Sequence, residues 1–215
     1  MRIKALIFIL SASAFLYFQV DSQEIGFIEK SKGMAAKFYE EQKELLKRGD
    51  IVSQNENIIT EGNGFARIRF IDNDGFLTVG GESSVSVSLY KSDSLYEKAF
   101  TLNYGALYAS AKNLTRISSK NAVILFDSSD IYIENRDDIL TVYCILGNVK
   151  VESAWGEANL YAGEECHVLS DMTPYKKTSA QKRDDISEIE SSSEIIEIEM
   201  ENAEGKKKNI ILEVE

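Results

Sequence analysis

The sequence predicts an all-β protein, built as a jelly-roll or β-helix-like sandwich of short strands with an appended C-terminal β-hairpin. Segments such as residues 84–90 alternate apolar and polar side chains, which is the pattern of a strand with one buried face. Short groups of Gly, Asn, Ser and Asp separate these segments and are typical of turns. The chain contains 1 proline, which fits uninterrupted strands because proline removes a backbone donor.

Composition indicates a folded, acidic protein that does not bind nucleic acid. Of the 215 residues, 44% are hydrophobic and 27% are charged, which is enough apolar material for a packed core. The net charge of −11 argues against a nucleic-acid surface, which needs Lys and Arg opposite the phosphates. The acidity itself is typical of a soluble protein.

Residues 1–22 have the pattern of a signal peptide. Arg2 and Lys4 precede an apolar run over residues 5–18, and a cleavage point follows before Gln23. An uncleaved anchor is the alternative, but this run of about 14 residues is shorter than the roughly 20 that span a bilayer. We therefore expect export across the inner membrane to the periplasm or the cell surface, with no transmembrane span in the mature chain.

One stretch of the central chain shows the strand pattern clearly. Ile68 and Phe70 are apolar, while Arg67 and Arg69 occupy the alternate positions. Residues 72–75 then predict a turn, because Asn and Gly tolerate positive φ and Asp bonds to its own backbone. This acidic run also begins like a calcium loop, but the later acidic ligands are missing, so a turn is the better interpretation.

Three segments that begin with a glycine and continue as an alternating strand lie at regular intervals. Their glycines, Gly64, Gly105 and Gly147, are about 41–42 residues apart, a spacing at which internal repeats are sought. A glycine that ends a turn before a strand explains the same pattern without any repeat. Both explanations stay open from the sequence.

The order of these motifs resembles that of the FecR-like domain, the family named after the ferric-citrate signal transducer. The resemblance runs through the strands and turns of residues 49–87, the Leu-x-x-Gly of residues 102–105, the Val-x-x-x-x-Gly of residues 142–147 and the Leu-x-Ala-Gly-Glu of residues 160–164. The similar region lies within residues 23–170, which we expect to form one β domain.

The resemblance implies an exported, non-catalytic module that makes protein–protein or envelope contacts in signal sensing or assembly. Two departures from the family pattern limit it. Residues 127–130 stand where many members have Gly-Thr, and the N-terminal segment with which sigma-factor regulators of this family act is missing. We therefore expect an exported member without direct control of a sigma factor.

Two interpretations of residues 34–49 conflict. The segment is rich in helix formers, and propensity alone predicts a helix that ends at Gly49. The resemblance implies a strand, a loop and a Gly-Asp turn over the same residues, and we follow it from Leu46 onward. The structure of residues 34–45 stays open.

Residues that carry chemistry are few. His167 is the single histidine, and it follows Cys166 in a predicted strand, where neighbouring side chains point to opposite faces. A catalytic Cys-His pair is therefore not expected, and the Cys and His side chains are too few for a zinc site. No hydrolase or nucleotide-binding motif occurs. We predict no enzyme activity, no catalytic, metal or cofactor-binding residues and no cofactor, and the sequence identifies no small-molecule ligand.

Cys144 and Cys166 form a candidate disulfide. Both lie in the part that we expect to be exported, where oxidation is permitted, and alternation places both on the core side of their strands. Two buried thiols that behave as small hydrophobic side chains are the alternative. A shared direction does not by itself bring two residues close together.

The C-terminal region divides into a linker and a hairpin. Residues 171–193 are polar and Ser-rich and are expected to be a linker. In residues 194–215, apolar and charged residues alternate on both sides of a Gly-containing loop, which predicts a β-hairpin. An isolated hairpin is marginally stable, so this one should dock on the main domain or on a partner. Ile196, Ile198 and Met200 are candidate contacts for an envelope protein partner.

A carbohydrate-binding module is the alternative function, because jelly-roll sandwiches often serve that role. Such a site needs several tyrosine rings exposed on one face, whereas tyrosines that merely suit a strand would be buried and scattered. The tyrosines concerned are Tyr104, Tyr108, Tyr132, Tyr143 and Tyr161.

Overall fold

The computed structural model describes residues 23–39, 42–92, 95–120, 122–178, 194–201 and 207–214. The predicted signal peptide, residues 1–22, lies outside them. Within the described residues the protein consists of strands joined by turns, and no helix there could cross a membrane. The strands are β1 (Glu24–Tyr39), β2 (Gln42–Leu45), β3 (Ile51–Ser53), β4 (Asn57–Phe70), β5 (Gly75–Val79), β6 (Ser83–Ser92), β7 (Leu95–Ala111), β8 (Thr115–Ser119), β9 (Ala122–Arg136), β10 (Ile139–Ser153), β11 (Gly156–Tyr161), β12 (Glu164–Val168), β13 (Tyr175–Thr178), β14 (Glu194–Glu201) and β15 (Lys207–Val214).

Strands β1 to β13 form one sheet, and β14 and β15 form a second, two-stranded sheet. In the large sheet, hydrogen-bonded neighbours follow the order β13-β12-β10-β9-β8-β7-β5-β4-β1-β2. β3 pairs with β1, β6 pairs with both β4 and β7, and β11 pairs with β10. Paired strands are antiparallel except β7 and β8, which run parallel. The all-β prediction with its appended hairpin is confirmed.

The longest strands bend, so that their two halves pair with different neighbours. The first half of β10 pairs with β12 and the second half with β11. Between them lies Gly147, whose φ of 84° is in the left-handed region that glycine adopts without strain. β7 contains the equivalent Gly105, with a φ of 91°. Such bends let the sheet fold over onto itself around a core, and several of the short strands suggested by the sequence are thereby joined into longer ones.

The core is made of aliphatic and aromatic side chains from strands throughout the large sheet. Phe70 and Phe100 stack there, with ring centroids 5.7 Å apart and an interplanar angle of 16°. Each fully buried side chain of this size contributes roughly 1.5–3 kcal/mol to folding through the hydrophobic effect. The other largest buried side chains are Ile28, Ile58, Ile68, Leu77, Leu102, Leu107, Ile117, Ile124, Ile131 and Ile133.

The helix that propensity predicts in residues 34–45 does not form. β1 continues to Tyr39, and β2 follows as its antiparallel neighbour. Leu46 is buried, and its N–H donates to the carbonyl of Ala35 at 2.9 Å. Pairing of β1 with β4 on one side and with β2 on the other satisfies the backbone of this segment, and that outweighs local helix propensity. Gly49 lies in a turn before β3, as the resemblance implied.

The large sheet continues beyond the expected domain boundary at residue 170. β13 pairs with β12 through Thr178, so the first part of the expected linker, residues 171–193, contains a strand. β13 is an edge strand, and edge strands are often short and rich in lysine. Its composition therefore resembles that of a linker. The rest of the predicted linker, residues 179–193, lies outside the described residues.

Candidate interaction surfaces

Three tyrosines stand side by side across the middle of the large sheet. Tyr108 on β7 lies opposite Tyr132 on β9, which lies opposite Tyr143 on β10. These residues, called the tyrosine row below, are 5%, 3% and 8% exposed. In register, the row continues to Thr78 on β5 and to Glu165 on β12.

The tyrosine row lies on the face of the sheet that points away from the main core. Leu107 and Ile131, which precede two of these tyrosines, belong to the core, and successive side chains of a strand point to opposite faces. Ala106 joins Tyr132 and Tyr143 in a small buried cluster, against which Ile145 packs. The row is therefore buried without being part of the main core.

The exposed tyrosines do not extend the tyrosine row into a platform. Tyr104 is 50% exposed and Tyr161 is 62% exposed, but they lie on β7 and β11, which are not neighbours in the sheet. A sugar-stacking face needs several exposed rings on one surface, and here the three adjacent rings are buried. The five tyrosines of the carbohydrate hypothesis therefore do not form the face that it requires.

His167 lies on the same face of the sheet as the tyrosine row. Its Nε2 is 2.6 Å from Oε1 of Glu165, and its Nδ1 is 3.2 Å from the hydroxyl oxygen of Thr141. Its ring stacks on Tyr175, with centroids 5.3 Å apart. Cys166 belongs to the main core on the opposite face, as strand alternation predicted. These contacts tie β10, β12 and β13 together, which is a structural role for the histidine.

Both cysteines are fully buried, and their thiols are free. Cys166 lies opposite Val142, so Cys144 is its diagonal neighbour on the adjacent strand. Diagonal neighbours are roughly 7–8 Å apart, whereas the α-carbons of a disulfide are about 4.4–6.8 Å apart. Burial raises the pKa of each thiol to about 11. Both side chains face the core, and the disulfide between them stays a prediction.

Asp72 and Asp74 surround an ammonium group. Nζ of Lys98 lies 2.7 Å from Asp72 Oδ2 and 2.6 Å from Asp74 Oδ2, and Asn113 donates to the latter oxygen at 2.9 Å. Burial raises the pKa of Asp74, while hydrogen bonds with Asp74 and Lys98 outweigh burial and lower the pKa of Asp72. The segment forms the predicted turn, with Lys98 as its counter-charge. In the part of the chain that the structure describes, no group of three or more Cys, His, Asp or Glu side chains could hold a metal ion.

A polar groove of about 770 Å³ lies beside Tyr104, at the turns that precede β9 and β10. The side-chain amide of Asn135 donates to the backbone carbonyl of Asn103 at 3.1 Å. Lys120 pairs with Asp138 across the same groove at 2.9 Å. The first contact joins β9 to β7, and the second joins the turns before β9 and β10. The ion pair is exposed and worth little energy.

The strands at the two ends of the large sheet are short and charged. β13 carries Lys176, which pairs with Glu164 on β12 at 2.9 Å. β2 carries Lys43, which pairs with Glu61 on β4 at 3.5 Å. Short edge strands that carry lysine resist pairing with strands of other chains. These two edges are therefore poor surfaces for strand addition.

The C-terminal hairpin has one apolar face, as its register shows. Ile196 lies opposite Leu212, and Ile198 lies opposite Ile210. Residues directly opposite each other share a face, as do alternate residues along one strand. The face defined in this way, called the Ile–Met face below, comprises the apolar residues Ile196, Ile198, Met200, Ile210, Leu212 and Val214, with Glu194 at one end and Lys208 at the other, and the other face comprises Ile195, Glu197, Glu199, Glu201, Lys207, Asn209, Ile211 and Glu213.

The sequence did not reveal the tyrosine row as a unit. Its signal was present, because each of the three tyrosines alternates with core residues along its strand. The missing information was which strands are neighbours, since alternation defines the faces of a strand but not its partner. The same tyrosines were therefore assigned to a sugar-binding face that the pairing does not produce.

Comparison with known proteins shows a similarity of fold. No protein-family model matches the chain, and no curated protein matches it. Two crystal structures of a provisionally assigned anti-sigma factor from Parabacteroides distasonis ATCC 8503, at 1.65 Å and 2.50 Å resolution, match with TM-scores of 0.53 and 0.52. Each match has 11% sequence identity and covers 65% of this chain and 66% of that protein, just under two thirds of its length.

Proposed function

We propose that this protein is an exported FecR-like module that binds a protein partner in the cell envelope, in signal sensing or assembly, and does not act by catalysis. The observation that carries the proposal is the Ile–Met face of the hairpin. A two-stranded hairpin is at best marginally stable in water, and a continuous apolar face on it needs a covering surface. An apolar groove on a protein partner supplies such a surface.

The charge of the hairpin indicates the chemistry of its partner. Strands β14 and β15 contain glutamates at positions 194, 197, 199, 201 and 213 but lysines only at positions 207 and 208. Complementary charges around an apolar contact speed association and select the correct partner. Four of these glutamates lie on the face opposite the Ile–Met face, so the partner that fits best has an apolar groove within a generally basic surface.

The structural neighbour supports a regulatory role. An anti-sigma factor is, by its name, a protein that acts on another protein, and its fold is similar to this one. Sigma factors work in the cytoplasm, whereas the predicted signal peptide would place our chain outside it. For that reason we propose an envelope protein as the partner, and not a sigma factor.

Deletion of residues 194–215 tests the proposal. The full and truncated proteins are produced in the native host, crosslinked in the intact envelope, and their captured partners are identified by mass spectrometry. The truncated protein is expected to remain folded by circular dichroism and to lose the partner. If it folds and keeps every crosslinked partner, the hairpin is not the recognition element.

A matched pair of variants separates the two faces of the hairpin in the full chain. Ile198→Lys places a charge on the Ile–Met face, and Ile211→Lys places the same charge on the other face, opposite Glu197. We expect the first variant to lose the partner and the second to keep it. Should the truncated protein fail to fold, this pair alone decides whether the Ile–Met face binds.

A further inference from the structure

The burial of the tyrosine row calls for a covering element. A tyrosine on an uncovered sheet face keeps part of its ring in contact with water, because neighbouring side chains shield only its sides. Tyr132 and Tyr143 are nevertheless almost completely buried. Tyr132 and Tyr143 form a small apolar cluster with Ala106, and Tyr108 lies beside Phe76 on β5, with ring centroids 5.4 Å apart.

The Ile–Met face of the hairpin matches the tyrosine row in chemistry and size. Strands of eight residues extend for roughly 27 Å, and the three strands of the row span roughly 10 Å across the sheet. Aliphatic side chains pack well on aromatic rings, and both surfaces lose water when they meet. The described strands of the hairpin form a sheet of their own, so docking would join it to the large sheet face to face and not as an added strand.

The position of β13 puts this face within reach of the hairpin. Lys177 on β13 lies opposite Glu165, and Glu165 lies opposite Tyr143. The chain therefore leaves the sheet two strands away from the row, a distance of roughly 10 Å. Residues 179–193, about 15 residues in number, can reach up to roughly 50 Å when extended. A tether of this length gives an effective concentration on the order of millimolar, which favours docking within one chain.

We infer that the hairpin packs its Ile–Met face on the tyrosine row of its own chain when no partner is bound. The row then competes with the partner for the same face, and binding of the partner requires release of the hairpin. This release step rests on the proposed function. The docking itself does not depend on it.

Hydroxyl-radical footprinting of the full mature chain, read by mass spectrometry without any partner, tests the docking. In the unsubstituted protein, Tyr132 and Tyr143 should be labelled slowly and the exposed Tyr161 rapidly. Ile198→Lys should raise labelling of Tyr132 and Tyr143 at least fivefold and leave Tyr161 unchanged. Ile211→Lys, which alters the opposite face, should leave all three rates unchanged.

The reciprocal measurement starts from the tyrosine row. In hydrogen exchange, Tyr143→Ala should speed exchange of the amides in β14 and β15 at least tenfold, while Tyr161→Ala should not. Amides of β4 report whether the large sheet stays folded in both variants. The docking is overturned if Ile198→Lys leaves labelling of the tyrosine row unchanged and Tyr143→Ala leaves hydrogen exchange in β14 and β15 unchanged.

The outcomes also separate this inference from the proposed function. If the Ile198→Lys variant keeps the tyrosine row protected but loses the crosslinked partner, the docking is overturned and the partner contact is supported. If the variant makes the tyrosine row accessible to labelling but keeps the partner, the docking is supported and the partner contact is overturned. If the hairpin of a second copy covered the tyrosine row, protection of Tyr132 would increase with protein concentration. Docking within one chain does not depend on protein concentration.

Discussion

The hydroxyl oxygen of Ser83 accepts a hydrogen bond from the backbone N–H of Ala106 at 2.8 Å. The hydroxyl proton faces the carbonyl oxygens of Gly81 at 2.9 Å and Ala106 at 3.2 Å. This contact closes the corner where β7 bends at Gly105, beside which Ser83 leaves no room for a β-carbon. A serine hydroxyl thus satisfies backbone groups where the bend interrupts the regular ladder.

The same corner occurs a second time in the chain. Ser129 accepts from the N–H of Asn148 at 3.1 Å, and its hydroxyl lies against Gly147. The regular spacing of Gly105 and Gly147 in the sequence therefore reflects two copies of one structural device. Gly64 shares the spacing but lies against the backbone of β1, with no serine hydroxyl beside it, so the device is not repeated there.

Ser83→Ala should destabilise the protein. The variant leaves the buried N–H of Ala106 without a partner, which costs about 1–3 kcal/mol of unfolding free energy. Urea denaturation measures the loss. Ser88→Ala is the control, because the half-buried Ser88 hydroxyl only donates to the Ala99 carbonyl, at 3.1 Å. Equal losses in the two variants would contradict a special role for the corner.

Gly147→Ala should cost more stability than Gly163→Ala. Both glycines have nearly the same φ, 84° and 86°, so alanine carries a similar backbone penalty of about 1–2 kcal/mol at each position. At Gly147 the new β-carbon also meets Ser129, whereas Gly163 has open space around it. Thermal and urea unfolding should therefore rank the variants in this order. The reverse order would mean that the corner relaxes without cost.

The two cysteines should make the reduced protein lose stability in alkaline solution. Burial raises the pKa of each thiol from 9.0 to about 11, so the unfolded chain ionises first as the pH rises. Their contribution to stability is complete below pH 9.0 and is lost as the pH rises towards 11. Urea unfolding with reductant, measured at several pH values between 9.0 and 11, should show the free energy of unfolding decrease. The decrease should be smaller in Cys166→Ala.

The same samples test the disulfide between Cys144 and Cys166. If the disulfide forms in the oxidised protein, the free energy of unfolding should not decrease at alkaline pH until reductant is added. Peptide mapping without reductant would then find the two cysteine peptides linked. Two thiols that alkylate freely after unfolding of the oxidised protein would exclude the bridge.

The sequence predicted those features that depend on near neighbours along the chain. The turn at residues 72–75 and the pairing of β14 with β15 follow from local turn chemistry and alternation, because the partners are close in sequence. Residues 34–45 were undecided, because local propensity favours a helix there, and the strands β1 and β2 are held by pairing with each other and, for β1, with the more distant β4. The tyrosine row was missed for the same reason, as it depends on which strands become neighbours.

Lys98→Met should be strongly destabilising at neutral pH. Lys98 is the counter-charge of the buried Asp74 and of the half-exposed Asp72, and removing one partner of a buried ion pair such as Lys98–Asp74 costs about 3–5 kcal/mol. Methionine keeps most of the side-chain volume beside the ring of Phe70, over which the ammonium lies at 5.0 Å from the centroid. The loss therefore measures charge more than packing.

The deficit of Lys98→Met should shrink in acid. Burial raises the pKa of Asp74, and loss of the ammonium raises it further, so the folded variant favours the protonated carboxyl. A group of this kind stabilises the fold at low pH, and that contribution is lost as the pH rises through its folded pKa. Urea unfolding at pH 7 and near pH 4.5 should show the larger deficit at pH 7.

Lys120→Met is the control, because Lys120 and Asp138 are 71% and 75% exposed, and such pairs are worth about 0–1 kcal/mol at either pH. A deficit of Lys98→Met that is equally small at both pH values would show that the two aspartates share a proton without help from Lys98.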